Sequence, residues 1–190
     1  VGDSNTAVGR RALFTNVGSD NNTAIGDNAL YTFNVASGNG YNTAVGKNAG
    51  YAITTGTSNT IVGALAGDSI TTGANNTAIG VSALDANTTA SSNTAVGSNS
   101  LGAATTGALN VAVGSNALLT VITGTRNSAL GVGALQLNTA SDNVAIGYHA
   151  LDTNAGGSNN TAVGTEAMDA NTSGSANVAV GYRTLDANTT

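Results

Sequence analysis

The sequence predicts an all-β protein, a parallel β-solenoid of about eleven 17-residue coils in which residues 1–190 form a single repeat array. Two observations predict this fold. A motif close to Asn-Thr-Ala-Val-Gly recurs at nearly constant spacing, and short Thr/Val/Ile segments are bounded by Gly and Asn, which is typical of strands and turns. Disorder is not predicted. Disordered chains usually combine low hydrophobicity with high net charge, whereas this chain is 41% hydrophobic and only 8% charged.

Every repeat begins with an asparagine. Successive asparagines are 17, 20, 17, 17, 17, 17, 17, 16, 17 and 17 residues apart, which implies one three-residue insertion and one deletion. We number the positions of a coil as columns 1 to 17 from this residue. Column 1 is occupied by Asn5, Asn22, Asn42, Asn59, Asn76, Asn93, Asn110, Asn127, Asn143, Asn160 and Asn177.

A strand is predicted in columns 1–5 and a second, shorter strand near columns 8–9, with turns at columns 5–7 and 12–17. Helices are not predicted, because an invariant glycine and Asn-Thr runs have poor helix propensity. Column 5 suits a turn that needs a positive φ or a close backbone approach. It is glycine in all eleven copies: Gly9, Gly26, Gly46, Gly63, Gly80, Gly97, Gly114, Gly131, Gly147, Gly164 and Gly181.

The column 1 asparagine has two structural interpretations. It tolerates the left-handed conformation of a turn, or it stacks on its copies in a ladder of side-chain amides. The ladder is favoured, because Asp or Gly would serve a turn equally well and neither occurs in this column. Neither interpretation predicts a catalytic or ligand-binding asparagine.

Charged residues are absent from columns 1–5, 8 and 9. On a strand, the side chains of columns 2 and 4 point to one face and that of column 3 to the other. Both faces are small or apolar, so one is expected inside the coil and the other against a second chain, around a core of Val, Ala and Leu. The alternative is a monomer whose column 3 alanines lie exposed.

Leucine at column 9 is replaced by glycine in two coils, at Gly50 and Gly67. In the same two coils column 12 changes from its usual asparagine to Ile53 and Ile70. We expect these isoleucines to fill the volume of the missing leucines.

Composition excludes several kinds of site. The chain has no cysteine, so thiol catalysis and thiolate metal sites are excluded. A formal net charge of −5 with five basic residues argues against nucleic-acid binding. The chain contains no run of about 18 apolar residues, so a membrane-spanning segment is not predicted.

Catalysis, cofactors and metals are not expected. His149 is the only histidine, beside Tyr148 in an exposed turn, and a catalytic role would need a positioned partner and a pocket. Asp85, Asp152, Asp169 and Asp186 give one carboxylate per coil. Calcium takes 6–8 oxygen ligands, so a solvated acidic edge is the preferred interpretation.

Aromatic residues cluster near the start of the chain, around the three-residue insertion. Insertions in solenoids map to loops on one face, often the binding face, so these residues form the one candidate patch for a ligand such as a cell-surface glycan or a protein receptor. The alternative is that they brace one end of the rod or a subunit contact. The patch comprises Phe14, Tyr31, Phe33, Tyr41 and Tyr51.

The pattern Asn-Thr-Ala-(Val/Ile)-Gly-x-x-Ala-Leu-x-x-Asn-Thr-Thr-Gly, clearest at 76–89 and 160–174, resembles repeats of phage tail-fibre-like proteins. It is also similar to the head repeats of trimeric autotransporter adhesins, which are parallel β-rolls. The resemblance covers essentially the whole chain and implies a trimeric attachment fibre located on a virion, on the cell surface or otherwise outside the cell. The 17-residue coil is longer than the adhesin repeat, and no chaperone, stalk or anchor is recognised.

Three functions remain open at this stage. The first is a non-enzymatic fibre shaft, a fragment of a longer fibre that associates with copies of itself and serves attachment. The second is an extracellular filament subunit that stacks head to tail, because neither end carries the capping element that free solenoids need. The third is an ice-binding solenoid that uses a row of threonines at column 2 or 13, although valine interrupts column 2 at three sites.

Overall fold

A computed structural model describes residues 2–190, and it is a parallel β-solenoid. The strands are β1 (Thr6–Val8), β2 (Ser19–Asp20), β3 (Thr23–Ile25), β4 (Gly38–Asn39), β5 (Thr43–Val45), β6 (Thr60–Val62), β7 (Thr77–Ile79), β8 (Thr94–Val96), β9 (Val111–Val113), β10 (Ser128–Leu130), β11 (Val144–Ile146), β12 (Thr161–Val163) and β13 (Val178–Val180). Eleven of them form one sheet in chain order, which confirms the predicted fold class. Each coil contributes one strand to this main sheet, and the first two coils contribute a second short strand each, β2 and β4, which pair in a separate two-stranded sheet.

Neighbouring strands pair in parallel with identical columns opposite each other. Thr77 of β7, for example, lies opposite Thr60 of β6 and Thr94 of β8. The same register continues across the deletion between β10 and β11 and across the insertion between β3 and β5. Both irregularities are therefore absorbed in the turns, and the sheet repeats without interruption along the rod.

The second strand predicted near columns 8–9 is absent from the described residues, and this prediction was wrong. Columns 7 and 9 instead adopt left-handed backbone conformations in every coil, as at Asn28 (φ 57°) and Leu30 (φ 50°). These turns still hydrogen-bond from coil to coil, for example from the Leu30 N–H to the Ala49 carbonyl oxygen at 3.0 Å. The backbone outside the sheet is thus satisfied by stacking rather than by strand pairing.

The left-handed column 9 is notable because its residue is usually leucine. A non-glycine residue in this region costs about 1–2 kcal/mol. Burying a leucine side chain recovers about 1.5–3 kcal/mol, and Leu30, Leu84 and Leu118 are completely buried. Burial therefore outweighs strain at this column.

The direction of the strand side chains differs from the expected core of Val, Ala and Leu. From the second coil onward, column 3 residues point inward and are buried, as at Ala78, whereas column 4 residues face outward, with Ile79 38% and Leu130 51% exposed. Ala7 of the first coil is exposed, because no coil before it is described. The alternative of exposed column 3 alanines is therefore also wrong. The core consists of columns 3, 8, 9 and 12, and apart from Ile61 its space is narrow enough that buried residues of columns 3 and 8 are alanine or serine.

The two coils without a column 9 leucine are repacked by isoleucines. Ile53 and Ile70 are completely buried, as expected. A Cβ atom added to Gly50 would lie 3.0 Å from Ile53 Cδ1, and one added to Gly67 would lie 2.8 Å from Ile70 Cδ1. Ile61, the single exception to alanine in column 3, reaches both sites at 3.1 Å. Three isoleucines thus occupy the space of two leucines.

Candidate functional surfaces

The column 1 asparagines form a continuous amide ladder inside the coil wall. The Oδ1 atom of Asn59 accepts the backbone N–H of Asn76 at 3.0 Å, and Asn76 Nδ2 donates to the Ala90 carbonyl oxygen at 3.0 Å. The same pattern connects Asn93 to Asn110 and Asn160 to Asn177. Each side-chain amide accepts a backbone N–H from the next coil and donates its own N–H to a carbonyl oxygen of the same coil. Aspartate cannot replace it, because an ionised carboxylate has no N–H to donate. The asparagines are structural and present no group to a ligand.

The column 5 glycines lie at the end of each strand with φ between 122° and 143°. A Cβ atom at Gly80 would lie 2.5 Å from the carbonyl oxygen of Gly97 in the next coil. Both the positive φ and the close approach to the next coil therefore require glycine at this column.

A second amide row occupies column 12 in the last four coils. Asn154 Nδ2 donates to Asn138 Oδ1 at 2.8 Å, and Asn171 Nδ2 donates to Asn154 Oδ1 at 2.8 Å. Asn87 lies in the same column but between the apolar Ile70 and Ala104. It is fully buried, and neither its Oδ1 nor its Nδ2 has a hydrogen-bond partner.

The outer sheet face is the surface formed by columns 2 and 4. It is free of charge along all eleven coils and combines hydroxyl groups with methyl groups. Its residues are Thr6, Val8, Thr23, Ile25, Thr43, Val45, Thr60, Val62, Thr77, Ile79, Thr94, Val96, Val111, Val113, Ser128, Leu130, Val144, Ile146, Thr161, Val163, Val178 and Val180.

The outer sheet face changes character along the rod. In coils one to six, column 2 is always threonine. Farther along, Val111, Val113, Leu130, Val144 and Ile146 line a shallow apolar groove of about 170 Å³. No His, Asp or Glu side chain borders this groove, so it offers apolar contact without acid–base chemistry.

The five aromatic residues of the candidate patch do not form one surface. Phe14, Tyr31 and Tyr51 stack along column 10, with ring centroids 5.3 and 5.1 Å apart and planes within 10° of parallel. Tyr41 is 57% exposed in the insertion, where its hydroxyl accepts a hydrogen bond from Asn39 Nδ2. Phe33 is completely buried in column 12, so the expectation of an exposed patch of five is wrong for this residue.

His149 does have a partner, Asp152. The Nδ1 atom lies 2.8 Å from Asp152 Oδ2, and the imidazole ring packs at the edge of the Tyr148 ring and over Gly133. The side chain of His149 is 29% exposed and that of Asp152 is 16% exposed, so the pair is partly buried.

The acidic edge along column 10 is partly desolvated. Burial raises the pKa of Asp68, and burial together with the charge of Asp68 raises the pKa of Asp85. Burial and the nearby Asp152 raise the pKa of Asp169. Within residues 2–190, no three His, Asp or Glu side chains converge in a way that could hold a metal ion.

Exposed ion pairs connect neighbouring coils. Arg10 pairs with Asp27 at 2.8 Å and Arg126 with Asp142 at 2.6 Å, and these hydrogen bonds lower the pKa of both carboxyl groups. Arg183 contacts both Glu166 and Asp186. Such surface pairs contribute little to stability.

The left-handed positions at columns 7, 9 and 17 were not predicted from the sequence. A weak signal exists, because asparagine, which tolerates this conformation, recurs at column 7 and column 17. Leu, Arg and His occupy the same columns in other coils and conceal this signal.

No helix that could span a bilayer occurs in the part of the chain that the structure describes.

Comparison of the chain with protein-family models, curated proteins and solved structures finds no match.

Proposed function

We propose that this chain is a non-enzymatic shaft segment of an attachment fibre, of the phage tail-fibre or trimeric adhesin kind, that associates laterally with copies of itself. The observation that carries the proposal is the outer sheet face, which is free of charge over eleven coils yet leaves Ile79 38% and Leu130 51% exposed in the middle of the rod. Large contiguous apolar surfaces on soluble proteins mark sites of interaction.

The size of this face suits a protein–protein contact. Eleven strands at about 4.8 Å spacing give a strip roughly 50 Å long, and three residues give a width of about 10 Å. A contact between two such strips buries on the order of 1,000 Å², which is the lower bound for a specific interface. Three copies is the number that the sequence resemblance implies, and an extracellular or virion location belongs to the same proposal.

Sedimentation equilibrium tests the proposal. We expect the wild-type chain to sediment at a multiple of its 18.3 kDa mass, three-fold for a trimer. Leu130→Glu places a charge on the outer sheet face and is expected to produce monomers. Ile122→Glu is the matched control, because Ile122 is 52% exposed against 51% for Leu130 but lies away from this face. A monomeric wild type, or equal dissociation of both variants, would refute the proposal.

Negative-stain electron microscopy distinguishes two forms of the assembly. A laterally associated shaft appears as discrete rods of about 50 Å. A subunit that stacks head to tail appears as open filaments whose length grows with concentration, and that outcome replaces the shaft with the filament function.

Ice binding is a second candidate, favoured by one observation on the same face. None of the column 2 threonine hydroxyls makes a hydrogen bond within residues 2–190, whereas column 13 hydroxyls donate to the next coil, as Thr54 does to Thr71 and Thr71 to Thr88. Free hydroxyls therefore recur in register along column 2 and not along column 13. Inhibition of ice recrystallisation by a monomeric wild type, abolished by Thr77→Glu, would establish this function and exclude the lateral shaft.

A further inference from the structure

The three-residue insertion contains a dipeptide that is chemically reactive. Asn39-Gly40 is the one place in the sequence where glycine directly follows asparagine. The backbone nitrogen of the following residue can attack the side-chain amide of an asparagine, and glycine hinders this attack least because it has no Cβ atom. Both residues of β4 are exposed, so solvent reaches the amide of Asn39. The insertion is therefore a candidate site of covalent modification.

Packing keeps glycine at the second position of this dipeptide. Gly40 is buried, and an added Cβ atom would lie 2.7 Å from Phe33 Cε1 and would overlap the side chain of Asn22. Phe33 is completely buried in the core, and Asn22 Oδ1 already accepts the backbone N–H of Asn42 at 3.1 Å. Neither side chain can move aside at low cost. The reactive dipeptide is thus maintained by the core of its own coil.

Three hydrogen bonds hold the reacting groups in the folded chain. The Gly40 N–H donates to the carbonyl oxygen of Asp20 at 2.9 Å. The Asn39 side chain accepts from Asn21 Nδ2 at 2.6 Å and donates to the Tyr41 hydroxyl at 2.7 Å. Attack requires the Gly40 nitrogen to lose its proton and to turn towards Asn39 Cγ, so its hydrogen bond to Asp20 must break first. The folded chain therefore protects the amide.

The pair β2–β4 is the element that must open for this reaction. It consists of two residue pairs outside the main sheet. The buried hydroxyl of Ser19 anchors the turn before β4, because it accepts the Val35 N–H at 2.7 Å and donates to the Val35 carbonyl oxygen at 3.0 Å. Segments with few buried contacts and exposed backbone hydrogen bonds open locally more often than the core of a protein. Opening of this short pair frees the Gly40 nitrogen while the eleven-stranded sheet stays intact.

We propose that Asn39 is a self-modification site, which is converted to aspartate and isoaspartate when β2–β4 opens. The Gly40 nitrogen gives up its proton to solvent and bonds to Asn39 Cγ, the Cγ–Nδ2 bond breaks, and Nδ2 takes up a proton and leaves as ammonia. Water then opens the cyclic imide at either carbonyl carbon. Both products add a negative charge opposite Asp20, and isoaspartate lengthens the backbone of β4 by one methylene group, which breaks its register with β2. This reaction does not depend on the lateral association proposed above.

Peptide mapping by mass spectrometry, after incubation of the full chain at neutral and mildly alkaline pH, tests this site. We expect conversion at Asn39 to exceed that at Asn99, which is also exposed but is followed by Ser100. The conversion of Asn39 should rise with pH, because the attacking nitrogen must lose a proton. It should be at least about tenfold faster in urea than in the folded protein, a ratio that corresponds to about 1.4 kcal/mol of protection. Greater conversion at Asn99, or equal rates in the folded and unfolded chains, would overturn the inference.

Ser19→Ala and Ser91→Ala are the matched variants. Ser19→Ala removes both hydrogen bonds to Val35 and is expected to accelerate the conversion of Asn39 about threefold or more in the folded protein, with no change in urea. Ser91 also accepts a backbone N–H from a neighbouring coil, that of Ala74 at 3.0 Å, but it lies outside the insertion. Its substitution should leave the rate at Asn39 unchanged. Equal effects of the two substitutions, or faster conversion at Asn99 as well as at Asn39, would refute local opening of β2–β4 as the controlling step.

Discussion

Asn87 is the residue at which local sequence and packing disagree most clearly. Its column 12 neighbours in the adjacent coils are Ile70 and Ala104, which offer no hydrogen-bonding groups in their side chains, and both polar atoms of its amide are buried without partners. A buried polar group without a hydrogen bond costs about 1–3 kcal/mol. The amide therefore lowers the stability of the coil that contains it.

Replacing Asn87 by valine should stabilise the protein. The substitution removes two unpaired polar atoms and continues the apolar run of Ile53, Ile70 and Val121 in the same column. We expect the free energy of unfolding to rise by about 1–3 kcal/mol, measured from urea denaturation curves.

Asn154→Val is the matched control for this prediction. Asn154 occupies the same column, but its amide bonds to Asn138, Asn171 and the carbonyl oxygen of Gly157. The same substitution should therefore lower the free energy of unfolding by about 1–3 kcal/mol. Equal effects at both sites would show that hydrogen bonding does not distinguish them.

Asp85→Asn should stabilise the protein at neutral pH. Burial and Asp68 raise the pKa of Asp85 in the folded state, so the folded protein binds its proton more tightly than the unfolded chain. That contribution is present at low pH and is lost as pH rises through the folded pKa. We expect the unfolding midpoint of the variant to exceed that of wild type at pH 7 and to match it below about pH 3.

Asp142→Asn provides the comparison of opposite sign. The hydrogen bond from Arg126 lowers the pKa of Asp142, so its contribution is present above the unfolded pKa and is lost as pH falls through the folded one. Any effect of this substitution should be destabilising at pH 7 and absent in acid. Thermal unfolding over a pH series measures both variants, and a stabilising effect of Asp142→Asn would contradict the assignment.

At the scale of the element, the turn that ends each strand depends on one glycine. Gly80 has a φ of 136° and approaches the backbone of Gly97 in the next coil. A side chain at this position would overlap the backbone of the next coil, which is held in place by its own hydrogen bonds. A small shift of that backbone therefore cannot relieve the overlap.

Gly80→Ala should destabilise the protein by at least about 2 kcal/mol, through unfavourable φ and steric overlap together. Gly156→Ala is the control, because its added Cβ atom would meet only the Thr172 carbonyl oxygen at 3.8 Å and its φ is not in the positive region. We expect Gly156→Ala to change the urea midpoint little. A similar loss in both variants would mean that loss of glycine flexibility, rather than the turn geometry, is responsible.

At the scale of the whole molecule, each coil contacts mainly the coils before and after it, so stability is a sum over neighbouring coils. Lateral association adds to the free energy of unfolding a contribution that increases with protein concentration. Under the proposed function, we expect the melting temperature of the wild type to rise with concentration and that of Leu130→Glu to be independent of it. A wild-type melting temperature that does not change over a hundredfold range of concentration would argue against association.

The sequence alone determined the repeat, the coil length and the two columns that hold the same residue in every coil, because each structural requirement recurs eleven times in the same column. It also indicated the amide ladder and the filling of the Gly50 and Gly67 sites by isoleucine. These features depend on interactions between equivalent positions of adjacent coils, which a periodic sequence displays directly.

Only the tertiary structure decided which face of the strand lies inside. Alternation places Ala78 and Ile79 on opposite faces but does not say which is buried, and both are apolar. In coils with a column 9 leucine, the interior is narrow and already holds the column 9 and column 12 side chains, so it admits the alanine methyl group and excludes the larger residue. Ile61 is accommodated in column 3 because Gly50 and Gly67 leave space beside it. The left-handed Leu30 and the buried Phe33 have the same origin, because closing a coil around a shared core is a constraint on the whole chain and not on any local segment.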